Sequence, residues 1–387
     1  MNIALLRPEV QQFIKEFEGD VSQLAFKGSP WEEIPLKELI QQIESYTKCK
    51  DKLPTWYNCH NIIYPPKLHI EQTSSEITAL YKASIVKGKG LADITGGFGV
   101  DSYFFSEKFT TVHHFEENDY LSEIAAHNFK QLEKTNVSFF ATDGIEGIRN
   151  QKYDVIYADP SRRHASKGKV FFLSDCEPNL VDHQEFLLEL CEILLVKTSP
   201  MLDISMGLNE LKNVSEIHII AVNNEVKELL WILSKSISEE ILIKTINFSK
   251  TEKEEFQFYF DSENREHYET PLTYLYEPNA AIMKAGGFSK ICDAFPVYKL
   301  AQHSHLFTSD ALIDFPGRVF KITSVIPYQK SEMKNFAKSK ANVSTRNFPE
   351  TVAQIKKKWN INDGGNKYLF FTTLQNGDKV VLDTEKL

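Results

Sequence analysis

Glycine is scarce in this chain of 387 residues, 17 in all, yet three fall within four positions of Asp93-Ile94-Thr95-Gly96-Gly97-Phe98-Gly99-Val100-Asp101. The stretch follows a short apolar run and precedes a helical pattern. Glycines there let the backbone turn sharply from strand into helix and approach a ligand closely, and the helix start presents unpaired N–H groups. The spacing departs from a dinucleotide fingerprint, because position 102 is Ser, and no Walker lysine follows. Asp93, just before the glycines, suits a cationic group on a ligand. A tight strand-to-helix turn with no ligand is the weaker account of the glycines.

Around this turn the pattern alternates between short strands and helices. Strands are expected at Gly90–Ile94, Thr111–Phe115, Val137–Ala141, Asp154–Ala158, Ile193–Lys197 and Glu216–Val222, with helices at Leu121–Lys134, His183–Glu192 and Glu225–Lys235. That alternation predicts an α/β chain with a parallel sheet covered by helices on both faces. Phe256–Phe260 alternates and predicts an antiparallel edge strand. The first seventy residues read as helical, with Val10, Phe13, Ile14 and Phe17 on one face and Leu36, Leu39, Ile40 and Ile43 on another. Thr73 and Glu76 form a capping-box pattern ahead of a helix at about 74–87, and Gly88 is a natural stop. Four segments follow from this: 1–70 helical, 71–265 α/β, and two small α+β units at 271–314 and 315–387.

Acidic residues recur where the strands end. Glu116 closes the second strand, where a carboxylate can take both hydroxyls of a ribose, although a solvated loop carboxylate fits that position as well. Asp143, in Asp143-Gly144 after the third, is placed to accept from an adenine amino group, although Asp-Gly is also a common turn. The fourth strand runs into Asp159-Pro160-Ser161-Arg162-Arg163, an acid, a rigid proline and two arginines at the end where open α/β sheets bind ligands.

In this order and at these intervals the elements resemble the class I S-adenosylmethionine-dependent methyltransferases. The resemblance implies a Rossmann-like sheet with S-adenosylmethionine held by Asp93, Thr95, Gly96, Gly97, Phe98, Gly99, Asp101, Glu116 and Asp143. It makes Asp159 and Pro160 the catalytic pair, with Ser161, Arg162 and Arg163 on the substrate side. Ala125–Asn128 resembles the A-x-x-N helix of nucleic-acid members, and Gln72–Glu76 the segment before the first motif in RNA cap and base methyltransferases. Amine methyltransferases place Pro and an aromatic where this chain has Ser161 and Arg162, a departure that bears on exocyclic-amine chemistry. Glu277–Ala281 with Ala285–Phe288 resembles a ferredoxin-like module. Arg346–Pro349, Lys356–Lys358 and Asp363–Gly365 resemble the THUMP-like domain that follows it in an uncharacterised bacterial subfamily. THUMP domains accompany RNA-modifying enzymes, which implies a tRNA or rRNA substrate by analogy.

Charge points the same way. Arg318–Lys358 holds ten Lys and Arg against two acids, leaving the remainder with 34 basic and 51 acidic residues, a net of −17. A basic appendage on an acidic body suits a polyanion, with Lys356, Lys357 and Lys358 as RNA contacts, though a solvated lysine-rich helix fits the charge as well. Five cysteines without CxxC spacing, no spanning apolar run and no signal-like N-terminus predict a cytoplasmic protein away from the membrane, with no metal site. Cys176 is the one thiol near the fourth motif, but its acidic neighbours disfavour a thiolate, and Cys191 reads as core. His113-His114 read as sheet residues, His303 and His305 lack a third ligand, and Lys197–Pro200 borders the expected pocket. Two other functions remain open: an RNA-binding protein that keeps the fold without turnover, and a small-molecule methyltransferase.

Overall fold

The computed structural model describes residues 1–162, 172–236, 239–250, 252–261 and 267–387, and only the backbone of residues 23, 25, 27 and 162. Contacts divide the chain into two compact units, Met1–Ser215 with Leu230–Ser238, and Glu216–Leu229 with Glu239–Leu387.

The first unit begins with the expected helices, among them Pro8–Glu16, Leu36–Lys52, Pro54–Asn58 and Lys67–Gln72. Their apolar faces bury Val10, Ile14, Leu39 and Ile43. The alternating region then supplies β1 (Gly88–Asp93), β2 (Phe109–Phe115), β3 (Val137–Phe140) and β4 (Tyr153–Ala158). A short antiparallel pair follows, β5 (Ser161–Arg162) with β6 (Cys176–Glu177), and then β7 (Cys191–Thr198). The long strands β1 to β4 and β7 are parallel in the order β7-β4-β1-β2-β3. Chain order reverses between β1 and β4, so a crevice opens at their carboxyl ends.

Asn128 joins the N-terminal helices to this sheet. It is fully buried on helix Asp119–Gln131, donates from Nδ2 to Ile63 O at 2.8 Å and accepts from Ile63 N at 2.9 Å. Those two bonds satisfy a backbone segment that burial would otherwise leave unpaired. The asparagine of the A-x-x-N pattern thus has a structural job.

Two local expectations change. The helix expected at 74–87 spans Glu76–Ile85, but its N-cap is Ser75, whose Oγ accepts from Thr78 N. Glu76 turns away from any capping box to accept from Thr55 N and Oγ1. Glu225–Lys235, expected helical, is a strand, β9 (Glu225–Ser234), forming a hairpin with β8 (Val214–Val222). Asn223 and Asn224 both take positive φ, 51° and 61°, the conformation a two-residue hairpin turn requires. Leu229–Leu233 are buried without a polar face, so no helical stripe competes.

In the second unit β10 (Leu242–Phe248) lies parallel to β8, and β11 (Lys253–Tyr259) is the expected antiparallel edge. The remaining strands are β12 (Tyr274–Pro278), β13 (Tyr298–Lys299), β14 (Phe307–Ser309), β15 (Gly317–Pro327), β16 (Asn342–Arg346), β17 (Lys367–Thr373) and β18 (Lys379–Lys386). They form one seven-stranded sheet, ordered β13-β14-β12-β15-β18-β17-β16, and only β16 and β17 pair in parallel. The break read at Pro316-Gly317 is thus bridged by the β12–β15 pair. A Cβ on Gly317 would lie 2.2 Å from Glu277 O, so only glycine lets the strands meet there. Glu277 is buried and bound by two arginines. Arg318 donates from Nε at 2.6 Å, and Arg346 donates from Nη2 at 2.8 Å.

Glu277→Gln leaves both guanidiniums facing an uncharged group, and it should destabilise this sheet by about 2–4 kcal/mol. A lower urea midpoint for the second unit, followed by tryptophan and amide signals, measures the loss.

Candidate active site

The carboxyl ends of β1, β2 and β4 converge on a cavity of about 320 Å³, lined by Asp93, Thr95, Gly96, Gly97, Phe98, Asp101, Glu116, Asp143, Asp159 and Ser161. Its size suits a small-molecule ligand. Of the other expected residues, Gly99 caps the helix Val100–Phe105 with φ 88° and Pro160 is buried, and neither lines the cavity. The side chain of Arg162 and all of Arg163 lie outside the described residues. Lys356, Lys357 and Lys358 belong to the second unit.

Each acid on the wall has its own surroundings. Asp93 is 1% exposed and accepts from Thr95 N at 3.1 Å and Ser102 Oγ at 2.7 Å. Burial drives its pKa up to about 7, and the nearby charges of Asp101 and Asp159 push it the same way, against the hydrogen bond from Ser102. Asp101 is also buried, but burial is outweighed there and the carboxyl sits below its ordinary range. Lys82 pairs with it at 3.1 Å, the charge of Lys197 adds to the effect, and Tyr157 and Ser74 hydroxyls each donate at 2.8 Å. The helix before β1 thus contributes a fully buried lysine to the site.

Glu116 spans the mouth of the glycine turn. Its Oε2 accepts from Gly97 N and its Oε1 from Asn118 N, both at 2.9 Å. Each oxygen keeps a lone pair for a further donor. Asp143 caps the short helix Gly144–Gly147 through Glu146 N at 2.9 Å and is exposed. A Cβ on Gly144 would fall 2.2 Å from Ile94 O, which is why the chain crosses β1 at a glycine. Asp159 is anchored by its own N–H on Thr95 Oγ1 at 2.7 Å, and its Oδ2 is paired with Lys197, one residue beyond the last β4–β7 register pair, Ala158 and Val196.

His114 lies beneath the glycine turn. It is fully buried, burial pulls its pKa down to about 4, and among the described residues neither ring nitrogen has a hydrogen-bond partner. Its ring occupies the space a Gly96 side chain would need, with Nε2 only 2.3 Å from a Cβ built there. His113 instead bonds the Tyr153 hydroxyl at 2.9 Å. Cys176 is buried, donates to Phe172 O and is not on the wall, whereas its neighbour Glu177 is. Cys191 is buried, and burial holds its thiol up at about 12. His305 stacks on Phe288 with ring centroids 3.6 Å apart. No group of three His, Cys, Asp or Glu is placed to hold a metal among the described residues.

In the second unit, Lys356 is paired with Asp363, and Lys358 with Glu350 at 2.9 Å, while Lys357 is exposed on the helix Val352–Trp359.

Residues 274–316 match a ferredoxin-like domain family and residues 317–386 a THUMP domain-like family. The whole chain superposes on the crystal structure of a "putative methyltransferase from Porphyromonas gingivalis W83" with a TM-score of 0.88 and 30% identity, covering 99% of this chain and 98% of that one. The chain belongs to this methyltransferase family. An rRNA methylase from Streptococcus thermophilus shares 16% identity at a TM-score of 0.31 over 41% of this chain and 94% of its own. A tRNA m1G37 methyltransferase from M. jannaschii shares 13% at 0.30, over 42% and 51%. No curated protein matches the sequence. No helix among the described residues is long and apolar enough to cross a membrane.

This family member also places His69, Glu117, Tyr157 and Glu177 on the cavity wall, residues that sequence reasoning did not single out. Tyr157 could have been found, since it stands two positions before Asp159 in β4 and so shares its face. His69 and Glu177 arrive from elements whose approach no local pattern encodes.

Gly96→Ala drives a methyl into the His114 ring, so the turn or the histidine must shift. Overpacking of this kind should cost about 1–3 kcal/mol. A depressed melting temperature, with secondary structure retained by circular dichroism, is the expected outcome.

Proposed function

We propose that this chain is an S-adenosylmethionine-dependent methyltransferase acting on a base of tRNA or rRNA in the cytoplasm. The observation that carries the proposal is the meeting of Asp93, Glu116 and Asp159, from three strand ends, around one glycine-turned cavity. The donor set fits the cofactor: a buried carboxylate for its ammonium group, Glu116 with spare lone pairs for the ribose diol, and Asp143 beside the turn for the adenine edge. A Cβ on Gly97 would meet only Thr95 O, at 3.8 Å, so the turn offers bare backbone there. When bound, S-adenosylmethionine supplies an electrophilic methyl group, and catalysis then rests largely on holding the acceptor in line.

The chain's own part is positioning. Thr95 fixes the backbone of Asp159 and Lys197 fixes one of its oxygens, leaving the other to take a hydrogen bond from the acceptor. Ser161, on β5, lines the cavity, which supports a part in holding the acceptor. The RNA half of the proposal draws support from the THUMP-like match and from the +8 net charge of Arg318–Lys358. Five free cysteines accord with a reducing compartment.

Transfer of labelled methyl from S-adenosylmethionine into fractionated RNA, protein and metabolite pools tests the proposal, with label expected in RNA. Label in metabolites alone would make it a small-molecule enzyme. RNA binding without label would make it a binding protein that retains the fold.

Cofactor affinity should depend on pH through Asp93, which must be ionised to pair with a cation. Its pKa near 7 means the pairing is lost as pH falls, so affinity by calorimetry should drop by about two orders of magnitude from pH 8 to pH 5. His114, held near 4, stays neutral across most of that range. Asp93→Asn should flatten the profile. Glu116→Ala should weaken binding by about ten- to hundredfold, the equivalent of ~1.5–3 kcal/mol.

A further inference from the structure

Not all ten cations between Arg318 and Lys358 are available to a ligand. Arg318 and Arg346 are committed to Glu277, Lys356 to Asp363 and Lys358 to Glu350. Lys321, Lys330, Lys334, Lys338, Lys340 and Lys357 are exposed and make no ion pair among the described residues. Backbone contacts gather several of these six at one place. Lys338 N donates to Trp359 O at 3.1 Å, so Lys338 closes the carboxyl end of helix Val352–Trp359, one turn from Lys357. Asn362 N donates to Ser339 O and Ala341 N to Asn362 O, both at 2.9 Å, laying Lys340 alongside the Asp363-Gly364-Gly365 loop. The stem of Lys340 crosses that loop, its Cε 2.9 Å from where a Gly364 Cβ would stand. Lys334 is tied into the same turn by Ala337 N bonding its carbonyl at 3.2 Å.

Lys338 is held in the left-handed region, with φ 60°. A lysine there costs free energy that glycine or asparagine would not, and backbone strain of this kind collects at functional segments. A helix carboxyl end favours a nearby cation, which accounts for one lysine. It does not account for Lys340, which projects from the neighbouring segment, or for a surplus of positive charge in a chain whose net charge is −9.

We propose that Lys338 and Lys340, flanked by Lys334 and Lys357 beside the Gly364-Gly365 loop, form the site on the second unit that grips the RNA phosphate backbone. The site rests on the RNA assignment above, and it shifts the grip away from Lys356 and Lys358. Fixed backbones and exposed, unneutralised ammonium groups suit release of counterions from a polyanion. Contacts of this kind position the strand without reading its sequence.

The test is fluorescence anisotropy of labelled bulk tRNA and of fragmented rRNA on the full-length protein, titrated across a salt series. Lys338→Gln/Lys340→Gln should weaken binding about tenfold at low salt and flatten the slope of log affinity against log salt by about 1–2. Lys338→Arg/Lys340→Arg should keep both. Lys379→Gln/Lys386→Gln, an equal charge loss elsewhere on the same sheet, should stay within about twofold of the unmutated protein. Unchanged melting temperature and S-adenosylmethionine affinity show that the variants are folded. Equal loss in the two glutamine variants, or none in the first, overturns the site, as does unmutated protein that binds neither RNA. Failure of the RNA assignment itself reads out separately, as methyl label in protein or metabolites instead of RNA.

Discussion

The buried pair of Lys82 and Asp101 is the contact on which the rest of the first unit depends. Each charge would be costly to bury alone, and the pair is tolerable because Ser74 and Tyr157 complete its hydrogen bonding. Those four residues come from the segment before the helix Glu76–Ile85, from that helix, from the helix after the glycine turn and from β4. One electrostatic knot therefore ties the helices on either side of β1 to β4 at the point where strand order reverses. Asp93 is held beside it by Thr95 and Ser102, and its high pKa follows from burial, with the charges of Asp101 and Asp159 pushing the same way.

Much of the cavity and its sheet is legible in the sequence. Acids at the ends of successive strands, with a glycine cluster after the first, located the cavity because parallel strands deliver their carboxyl ends to one side. The alternation of short apolar runs and helical stripes located the sheet. What stayed hidden has identifiable causes. Glu225–Ser234 carries a run of buried apolar residues that suits helix or strand, and the Asn223-Asn224 turn that decides between them left no glycine as a signal. Lys82 reads as an ordinary helix lysine until Asp101 is placed against it. The pairing of Lys197 with Asp159 depends on register between β4 and β7, which spacing along the chain does not encode.

The basic segment shows how net charge overstates what a surface offers. Its count of ten cations treats every lysine and arginine alike. Four are spent inside the fold: two arginines hold one buried glutamate, and two helix lysines meet acids that lie nearby in sequence. The consecutive Lys356–Lys358 were conspicuous in the sequence, yet two of the three are neutralised by neighbours. Four of the six left unpaired, Lys334, Lys338, Lys340 and Lys357, are scattered in sequence and meet at the turn that Trp359 and Asn362 close.

The pairing of β12 with β15 carries an evolutionary consequence. The regions matched as ferredoxin-like and THUMP-like meet between residues 316 and 317, yet they share a hydrogen-bonded ladder from Tyr274–Lys321 to Pro278–Gly317 and a glutamate gripped from the far side. A genetic exchange at that boundary would bare a central strand on each piece, and unpaired central strands invite aggregation. On this geometry the two regions are expected to fold as one piece, and a recombinant that keeps a folded product should be cut outside the shared sheet.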